Sequence, residues 1–465
     1  MKDRVRSLLD SAVEVYRGRP AEERLRDVAA RLDEPLRVAV AGRVKAGKST
    51  LLNALVGERL AATDATECTR VLTWYSDGVA TRVWAYPTGG EPRQLRFHRD
   101  GDATVIDLGD LRAEDLSRLT IEVPNARLRR LTLIDTPGIA SMSRQLSART
   151  TAFLTDDDGA ADAVLYLIRH LHLTDMDLLE AFHDQRFAGS TPVNAIGVLA
   201  RADEIGAGRG DALQLAERIA DGFRADARVR GLVQAVIPVA GLLGQAGSVL
   251  GERHFAQLRD IPAEALRSAD RFAADDDRRE LLDLLGLFGV RLAVALLRQG
   301  VVRDAGELAR DLRRRSGLDE LRRALAEQFT ERAGTLKAHA ALRTLEVQLS
   351  ADPVPAAGRL HRALDGLLAG AHELAELRLL NDLRTGAVEL ADTGLRDEAE
   401  TLLGAAGTAV PARLGLPADA PPEEVRAGLL TALGRWQRAG ESPVAGAAER
   451  RVAAVLRRTC EGLLG

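Results

Sequence analysis

Residues Gly42-Arg43-Val44-Lys45-Ala46-Gly47-Lys48-Ser49 match the pattern G-x4-G-K-[ST]. They follow the apolar run LRVAVA and lead into TLLNALVG, whose apolar residues have helical spacing. Strand, glycine loop and helix in that order form a cradle for a polyphosphate. The glycines let the backbone curl until several N–H groups point inward. The helix N-terminus adds positive potential. In such a loop Lys48 reaches the β- and γ-phosphates and the Ser49 hydroxyl binds Mg2+, while the backbone from Gly42 to Thr50 wraps the phosphate chain.

Three later segments supply the partners this chemistry needs. Asp135-Thr-Pro-Gly138 ends the strand-like run LTLI. A carboxylate there suits Mg2+ held through water, and the Gly138 N–H can sense the γ-phosphate. Thr66-Glu-Cys-Thr69-Arg70 lies between the loop and Asp135. Thr69, directly before a strand, is the residue expected to bind Mg2+ and close over the γ-phosphate, with Thr66 as the alternative. Ala200-Arg201-Ala202-Asp203 follows the run NAIGVL. Asp203 can accept hydrogen bonds from guanine N1 and the exocyclic amine, which adenine does not offer, and Arg201 can lie on the base. Ala200 stands where an Asn or Thr side chain is usual. Ala240-Gly241, after VIPV, offers backbone to the guanine oxygen. These residues point to GTP as substrate. Lys48 and Asp135 stand 87 positions apart, more than small GTPases use, which indicates a larger class.

The elements that must hold these residues are legible in outline. Residues 4–16, then Leu25, Val28 and Leu32, have helical spacing broken at Gly18 and Pro20. From 36 to about 245, β-rich runs alternate with helical segments: 36–40, 70–75, 81–86, 119–123, 131–135, 163–168, 194–199 and 236–239. That alternation predicts a mostly parallel sheet with helices on both faces. The neighbouring runs 119–123 and 131–135 predict one antiparallel hairpin, hence a mixed sheet. Beyond about 252 strand signals vanish. The spacing of Leu318, Leu321, Leu325, Phe329, Ala333, Leu336 and Ala340 predicts one long helix from about Leu318 to Leu349, capped by Ser316.

Composition sets limits. With 465 residues the chain is too long for one compact core. Hydrophobic residues at 46% and charged ones at 28% are ordinary for a folded protein. The net charge of −4 lacks the basic excess of a nucleic-acid binder, so no nucleic-acid partner is expected. Two cysteines give no disulfide framework, and the N-terminus has no uninterrupted apolar core. The stretch 281–302 is interrupted by Asp283, Arg291 and Arg298, too soon for a membrane span. The expectation is a cytoplasmic protein with at most peripheral membrane contact.

The segments GRVKAGKSTLLNALVG, ATECTRVLTWY, DTPG and RADEIGAG together resemble the bacterial dynamin-like proteins, and specifically the C-type member of the isoniazid-inducible dynamin-like family of actinobacteria. SGL (316–318), LKAHAAL (336–342), DPVPA (352–356) and ELRLL (376–380) extend the resemblance into the helical part. The resemblance implies an α/β P-loop GTPase head followed by an all-α, elongated helical-bundle neck and trunk. It divides the chain into residues 1–33 joining the neck, a head at 34–250, and neck and trunk at 251–465. It implies GTP hydrolysis with Mg2+ coupled to membrane remodelling or maintenance. It also implies pairing of heads, as a homodimer or with a second dynamin-like protein. A GTP-controlled adaptor acting only on protein partners is the alternative. Dynamins place Gln and Ser where this chain has Val44 and Lys45. Related membrane-fusing GTPases carry an Arg finger at the spacing of Lys45, so Lys45 is assigned a role in stabilising transition-state charge. His170, His172, Asp175 and Asp177 read as a plain loop, Arg313–Arg315 as a helix C-terminus, and Pro353–Gly358 as a membrane tip or a simple helix–helix turn.

Overall fold

A computed structural model describes residues 1–58, 60, 71–100, 103–137, 161–169, 194–262, 266, 272, 276–390 and 392–464. Ten strands form one sheet: β1 (Leu36–Gly42), β2 (Thr73–Asp77), β3 (Arg82–Pro87), β4 (Arg93–Asp100), β5 (Ala103–Asp107), β6 (Leu116–Val123), β7 (Leu131–Asp135), β8 (Ala163–Ile168), β9 (Ala195–Ala200) and β10 (Val236–Val239). Their order is β10-β9-β8-β1-β7-β2-β6-β3-β4-β5. From β10 to β7 all pairings are parallel, and β2 runs antiparallel to β7. The sheet is therefore mixed. Its parallel half is buried on both faces, and β8 and β9 are apolar and buried at every position.

The expected hairpin between 119–123 and 131–135 is not formed. β2 lies between them, parallel to β6 and antiparallel to β7. Two adjacent β-runs in sequence are equally compatible with a third strand inserted in space. Sequence reading also missed the hairpin β4–β5. β4 is RQLRFHRD, with exposed Arg93 and Arg96 alternating with half-buried Leu95 and Phe97. Such charge is expected on an edge hairpin and hides its strand signal.

The helices are α1 (Lys2–Val15), α2 (Ala21–Arg31), α3 (Lys48–Val56), α4 (Ala212–Ala225), α5 (Ala227–Leu232), α6 (Gly241–Val249), α7 (Glu252–Arg259), α8 (Asp276–Arg298), α9 (Ala305–Arg315), α10 (Leu318–Ala324), α11 (Ala333–Ala351), α12 (Ala357–Gly370), α13 (His372–Thr385), α14 (Thr393–Leu402), α15 (Val410–Arg413), α16 (Pro422–Glu441) and α17 (Ala447–Leu464). Alternation along β1 assigns its two faces. Ala39 and Ala41 meet a core that includes Ala216, Leu243, Leu285 and Leu312 of α4, α6, α8 and α9. Val38 and Val40 meet Leu51 and Leu52 of α3 with Leu318 and Leu321 of α10. A third core joins Val5, Leu9 and Leu25 of α1 and α2 to Leu342, Leu345 and Leu380 of α11 and α13.

The single helix expected over 318–349 is broken. α10 ends at Ala324, a π-turn spans Leu325–Thr330, and α11 begins at Ala333. The Thr330 hydroxyl donates to Leu325 O at 3.2 Å, drawing that carbonyl out of the regular ladder. Buried Arg332 turns inward to donate to Leu403 O and Gly404 O. The apolar stripe is thereby divided. Leu318 through Leu336 face the sheet's core, and Ala338 through Leu349 face α1 and α2. Ser316 does serve the helix start, its Oγ accepting the Leu318 N–H at 3.2 Å. Of Pro353–Gly358, residues 353–356 form the turn between α11 and α12 and Ala357 and Gly358 open α12; the Tyr16 hydroxyl and Arg19 both bond Asp352 just before the turn. Arg313–Arg315 close α9, with Asp311 paired to Arg314 and Arg315. Among the described residues no helix is long and apolar enough to cross a membrane.

Candidate functional site: a nucleotide crevice

Strand register gathers the site. β1 sets Val40 beside Asp135 of β7 and Gly42 beside Leu167 of β8, and β9 sets Ala200 beside Val239 of β10. The phosphate loop, Asp135, Arg201–Asp203 and Ala240–Gly241 therefore leave the sheet at the same edge. That edge is the carboxyl ends of parallel strands. Strand order reverses at β1, and open α/β sheets bind their ligands at such a switch point.

Gly42 must be glycine. Its φ is +149°, and a Cβ there would lie 2.9 Å from Leu167 O. Lys45 holds φ +62°, a left-handed turn that costs a non-glycine residue about 1–2 kcal/mol. It is exposed, as is Val44, whereas Ala46 is buried and Arg43 half-buried. Lys48 opens α3, and its Nζ rests on Gly42 O at 3.3 Å and Arg43 O at 3.2 Å. Burial lowers its pKa, and the Asp135 charge opposes that shift. The Ser49 hydroxyl donates to Asp135 Oδ2 at 3.0 Å. The other oxygen, Oδ1, is sealed from solvent and has no hydrogen-bond partner among the described residues. Burial pushes the Asp135 pKa up to about 6 although Lys48 and the Ser49 hydrogen bond pull it down. Thr136 anchors this strand end, its hydroxyl donating to Val40 O at 2.9 Å.

Beside the loop lies a pocket walled by Ala46, Gly47, Thr50, Val198, Arg201, Asp203, Gly241 and Leu242. Arg201 has φ +55°, which turns its side chain back over the loop. Its Cγ and Nε come within 3.8 Å of the place a Cβ on Gly47 would take. Its Nη1 donates to Glu204 Oε1 at 2.7 Å, and Glu204 Oε2 accepts Arg169 Nη2 at 2.7 Å. Asp203 is only 5% exposed. Burial raises its pKa to about 6, its own backbone N–H opposing, Glu204 adding and Arg201 subtracting. Ala240 donates its N–H to Ser316 O at 2.9 Å, so of the Ala240–Gly241 pair only Gly241 reaches the pocket.

Thr66, Thr69, Gly138, His170, His172, Asp175 and Asp177 lie outside the described residues. Of the other sequence-based assignments, Ala46, Gly47, Thr50, Arg201, Asp203 and Gly241 line the pocket, while Lys48 rests on the loop carbonyls and Ser49 bonds Asp135 beside it. Sequence reading missed Glu204, Arg169 and Leu242. Glu204 carried a usable signal, a carboxylate at i+3 from Arg201 and adjacent to Asp203. Leu242 carried none, because an apolar residue in a helix start looks like any core position.

Over 466 aligned residues the chain is 38% identical to isoniazid-induced protein IniC of Mycobacterium tuberculosis, in both strain CDC 1551 / Oshkosh and strain ATCC 25618 / H37Rv. The alignment takes in 95% of this chain and 94% of the relative. The chain belongs to the isoniazid-inducible family of dynamin-like GTPases. The model of a family described as a 50S ribosome-binding GTPase matches residues 37–191, the segment carrying the phosphate loop and Asp135. A bacterial dynamin-like protein of Nostoc punctiforme is 32% identical over 114 residues, covering 22% of this chain and 16% of its own. A solved structure described as an oligomerised bacterial dynamin pair covers the whole chain and 74% of its own at 13% identity and a TM-score of 0.32.

In the isoniazid-inducible family GTP and Mg2+ are the implied ligands, and the donor set here suits both. Ser49 and Asp135 present hard oxygens, with Asp135 Oδ1 buried and lacking a partner among the described residues, which fits magnesium. Asp203 presents a buried carboxylate in the wall of a pocket that Arg201 also lines.

Proposed function

We propose that the chain binds GTP with Mg2+ and hydrolyses it to GDP and phosphate, and that this cycle drives pairing of heads and remodelling or maintenance of a membrane. The observation that supports it most is the convergence of three chemistries within one crevice. Lys48 lies within the glycine loop, Ser49 is joined to Asp135, and buried Asp203 walls the slot next door.

Ser49 and Asp135 would hold Mg2+, which would supply positive charge to the phosphates. This chain's own groups position and discriminate. The loop amides and α3 hold the phosphates, and Lys48 adds its positive charge where negative charge builds on the transferred group. Asp203 meets the two guanine N–H groups, the Arg201 stem covers the base, and Gly241 lies toward its oxygen. Thr69 and Gly138 remain the assigned γ-phosphate sensors on sequence grounds. Lys45, at the mouth of the loop, is the assigned internal cation. We further propose that residues 1–33 work with the helical part of the chain, because α1 and α2 share a core with α11–α13.

The deciding experiment is phosphate release by purified protein with and without Mg2+ and anionic vesicles. The expected result is Mg2+-dependent GTP turnover, abolished in Lys48→Ala, with lipid-stimulated turnover and sedimentation with vesicles. Turnover without lipid binding would favour a GTP-controlled adaptor that acts on protein partners. Failure to retain guanine nucleotides in the presence of Mg2+ would end the GTPase reading.

A further inference from the structure

Helix α8 spans Asp276–Arg298, yet Gly286 within it has φ +66° and ψ +168°. That combination belongs to a region open essentially to glycine alone. The break occurs where α8 meets the base pocket from behind. A Cβ on Gly286 would lie 3.3 Å from Leu242 Cδ1 and 3.8 Å from Asp203 Oδ2. Leu242 is itself a pocket wall. Two residues on, Phe288 is 7% exposed and lies against Gly208, the left-handed residue closing the turn that begins at Ala202. A Cβ on Gly208 would sit 4.0 Å from Phe288 Cβ and 3.4 Å from Asp203 O. One helix, outside every nucleotide motif of the chain, thus backs Asp203 twice. Its Gly286 leaves no more than the room of a methyl group before the carboxylate, and its Phe288 lies beside the backbone turn.

We propose that the break at Gly286 determines base specificity by seating α8 against Asp203 and so fixing the carboxylate for the N1 and 2-amino N–H groups of guanine. Gly286 is a positioning residue and touches no nucleotide. The inference rests on the GTP reading above. Two N–H donors on one ring edge are met together only by a carboxylate held in the plane of the base. A buried carboxylate that rotates out of that plane loses the second hydrogen bond first. Glycine contributes in two ways. It allows the backbone to leave the helix, and it leaves space for Leu242 and the Asp203 oxygen. A methyl group at 286 disturbs both, because the break must move and Leu242 is already at 3.3 Å.

The test compares GDP with IDP, which lacks only the 2-amino group, on the purified full chain. Wild type is expected to prefer GDP. Gly286→Ala is expected to lower GDP affinity about tenfold, the worth of one hydrogen bond to a charged group, while IDP affinity changes far less. The GDP:IDP ratio therefore falls. A general loosening of the fold lowers both affinities alike, and an unchanged ratio overturns the proposal. Phe288→Leu trims the same wall without touching the backbone break, so it decides the matter if Gly286→Ala does not fold. A threefold fall in the ratio is expected, and none overturns the proposal. Wild type that retains neither nucleotide sinks the GTP reading and this inference with it, and wild type that retains both without preference sinks this inference alone. Wild type that prefers GDP beside variants that keep the ratio sinks this inference alone.

Discussion

Asp203 holds its charge against its surroundings. Its pKa of about 6 in the folded chain exceeds the usual unfolded value of about 3.9, so the folded state binds that proton more tightly. A raised carboxyl pKa favours folding at low pH, and that contribution is lost as pH rises from about 4 through about 6. At neutral pH the ionised carboxylate therefore costs the nucleotide-free protein up to about 3 kcal/mol. Asp203→Asn should accordingly stabilise the nucleotide-free protein at pH 7.5, with a smaller gain at pH 5, in denaturant unfolding, while guanine selectivity is lost. No gain at pH 7.5 would show that the carboxylate is not held at a cost. Guanine's N–H groups bind the ionised form. GDP affinity should therefore fall below about pH 6, approaching tenfold per unit, against the opposing influences of Glu204 and Arg201.

Lys45 is the second residue under tension, exposed and left-handed where glycine would be relaxed. Strain retained in a phosphate loop suggests that the side chain matters more than the turn. Lys45→Ala should lower GTP turnover by about tenfold or more, with nucleotide affinity little changed. Lys45→Gly relaxes the left-handed turn and removes the side chain, so it should show the same loss. Unchanged turnover in both would leave Lys45 a solvated loop residue. The residues of this site were legible because phosphate, metal and base each demand particular groups at particular spacings. Arg169 and Leu242 act through contacts across the fold, which spacing does not encode, whereas the Glu204 contact with Arg201 is local and its i+3 spacing was readable.

At the scale of elements, propensity identified segments better than it identified neighbours. Eight of the ten strands lie where β-rich runs predicted them, yet the partner of β7 was assigned wrongly because pairing is a long-range property. The break between α10 and α11 was equally hidden. An apolar stripe looks continuous even when its two halves face different cores. What holds those elements together is a buried charged group. Arg31 at the end of α2 pairs with Asp162 at 3.1 Å, and Asp162 also accepts the Arg37 N–H of β1 at 2.8 Å. Lys337 of α11 donates to Arg31 O and Glu34 O. Asp162 exposes 4% of its side chain and is the strongest counter-charge to the Arg31 guanidinium, whose charged form burial disfavours. Asp162→Ala should therefore destabilise the protein by about 3 kcal/mol or more in denaturant unfolding. A change below about 1 kcal/mol, the value of an exposed pair, would show that the group is not acting as a buried unit.

The whole molecule is tied together by a similar device. Glu400 of α14 receives Arg230 of α5 at 2.6 Å, Arg396 at 3.1 Å and Arg384 of α13 at 3.6 Å. α5 packs into the core beside the sheet and α13 belongs to the helical core around α1 and α2, so one carboxylate joins two cores. Arg384 is 7% exposed on its side chain, and its charged form is disfavoured by burial and supported by Glu400. Glu400→Ala leaves three guanidinium groups facing one another, one of them buried. The loss should weaken the joint more than either core, because each core keeps its own apolar contacts. Wild type should then unfold in calorimetry as one transition that GDP with Mg2+ shifts as a whole, since a ligand stabilises everything that unfolds with its site. In Glu400→Ala the transition should split, and only the part containing the sheet should respond to GDP. A single transition in the variant that still moves with GDP would show that the cores are coupled through their packing and not through Glu400.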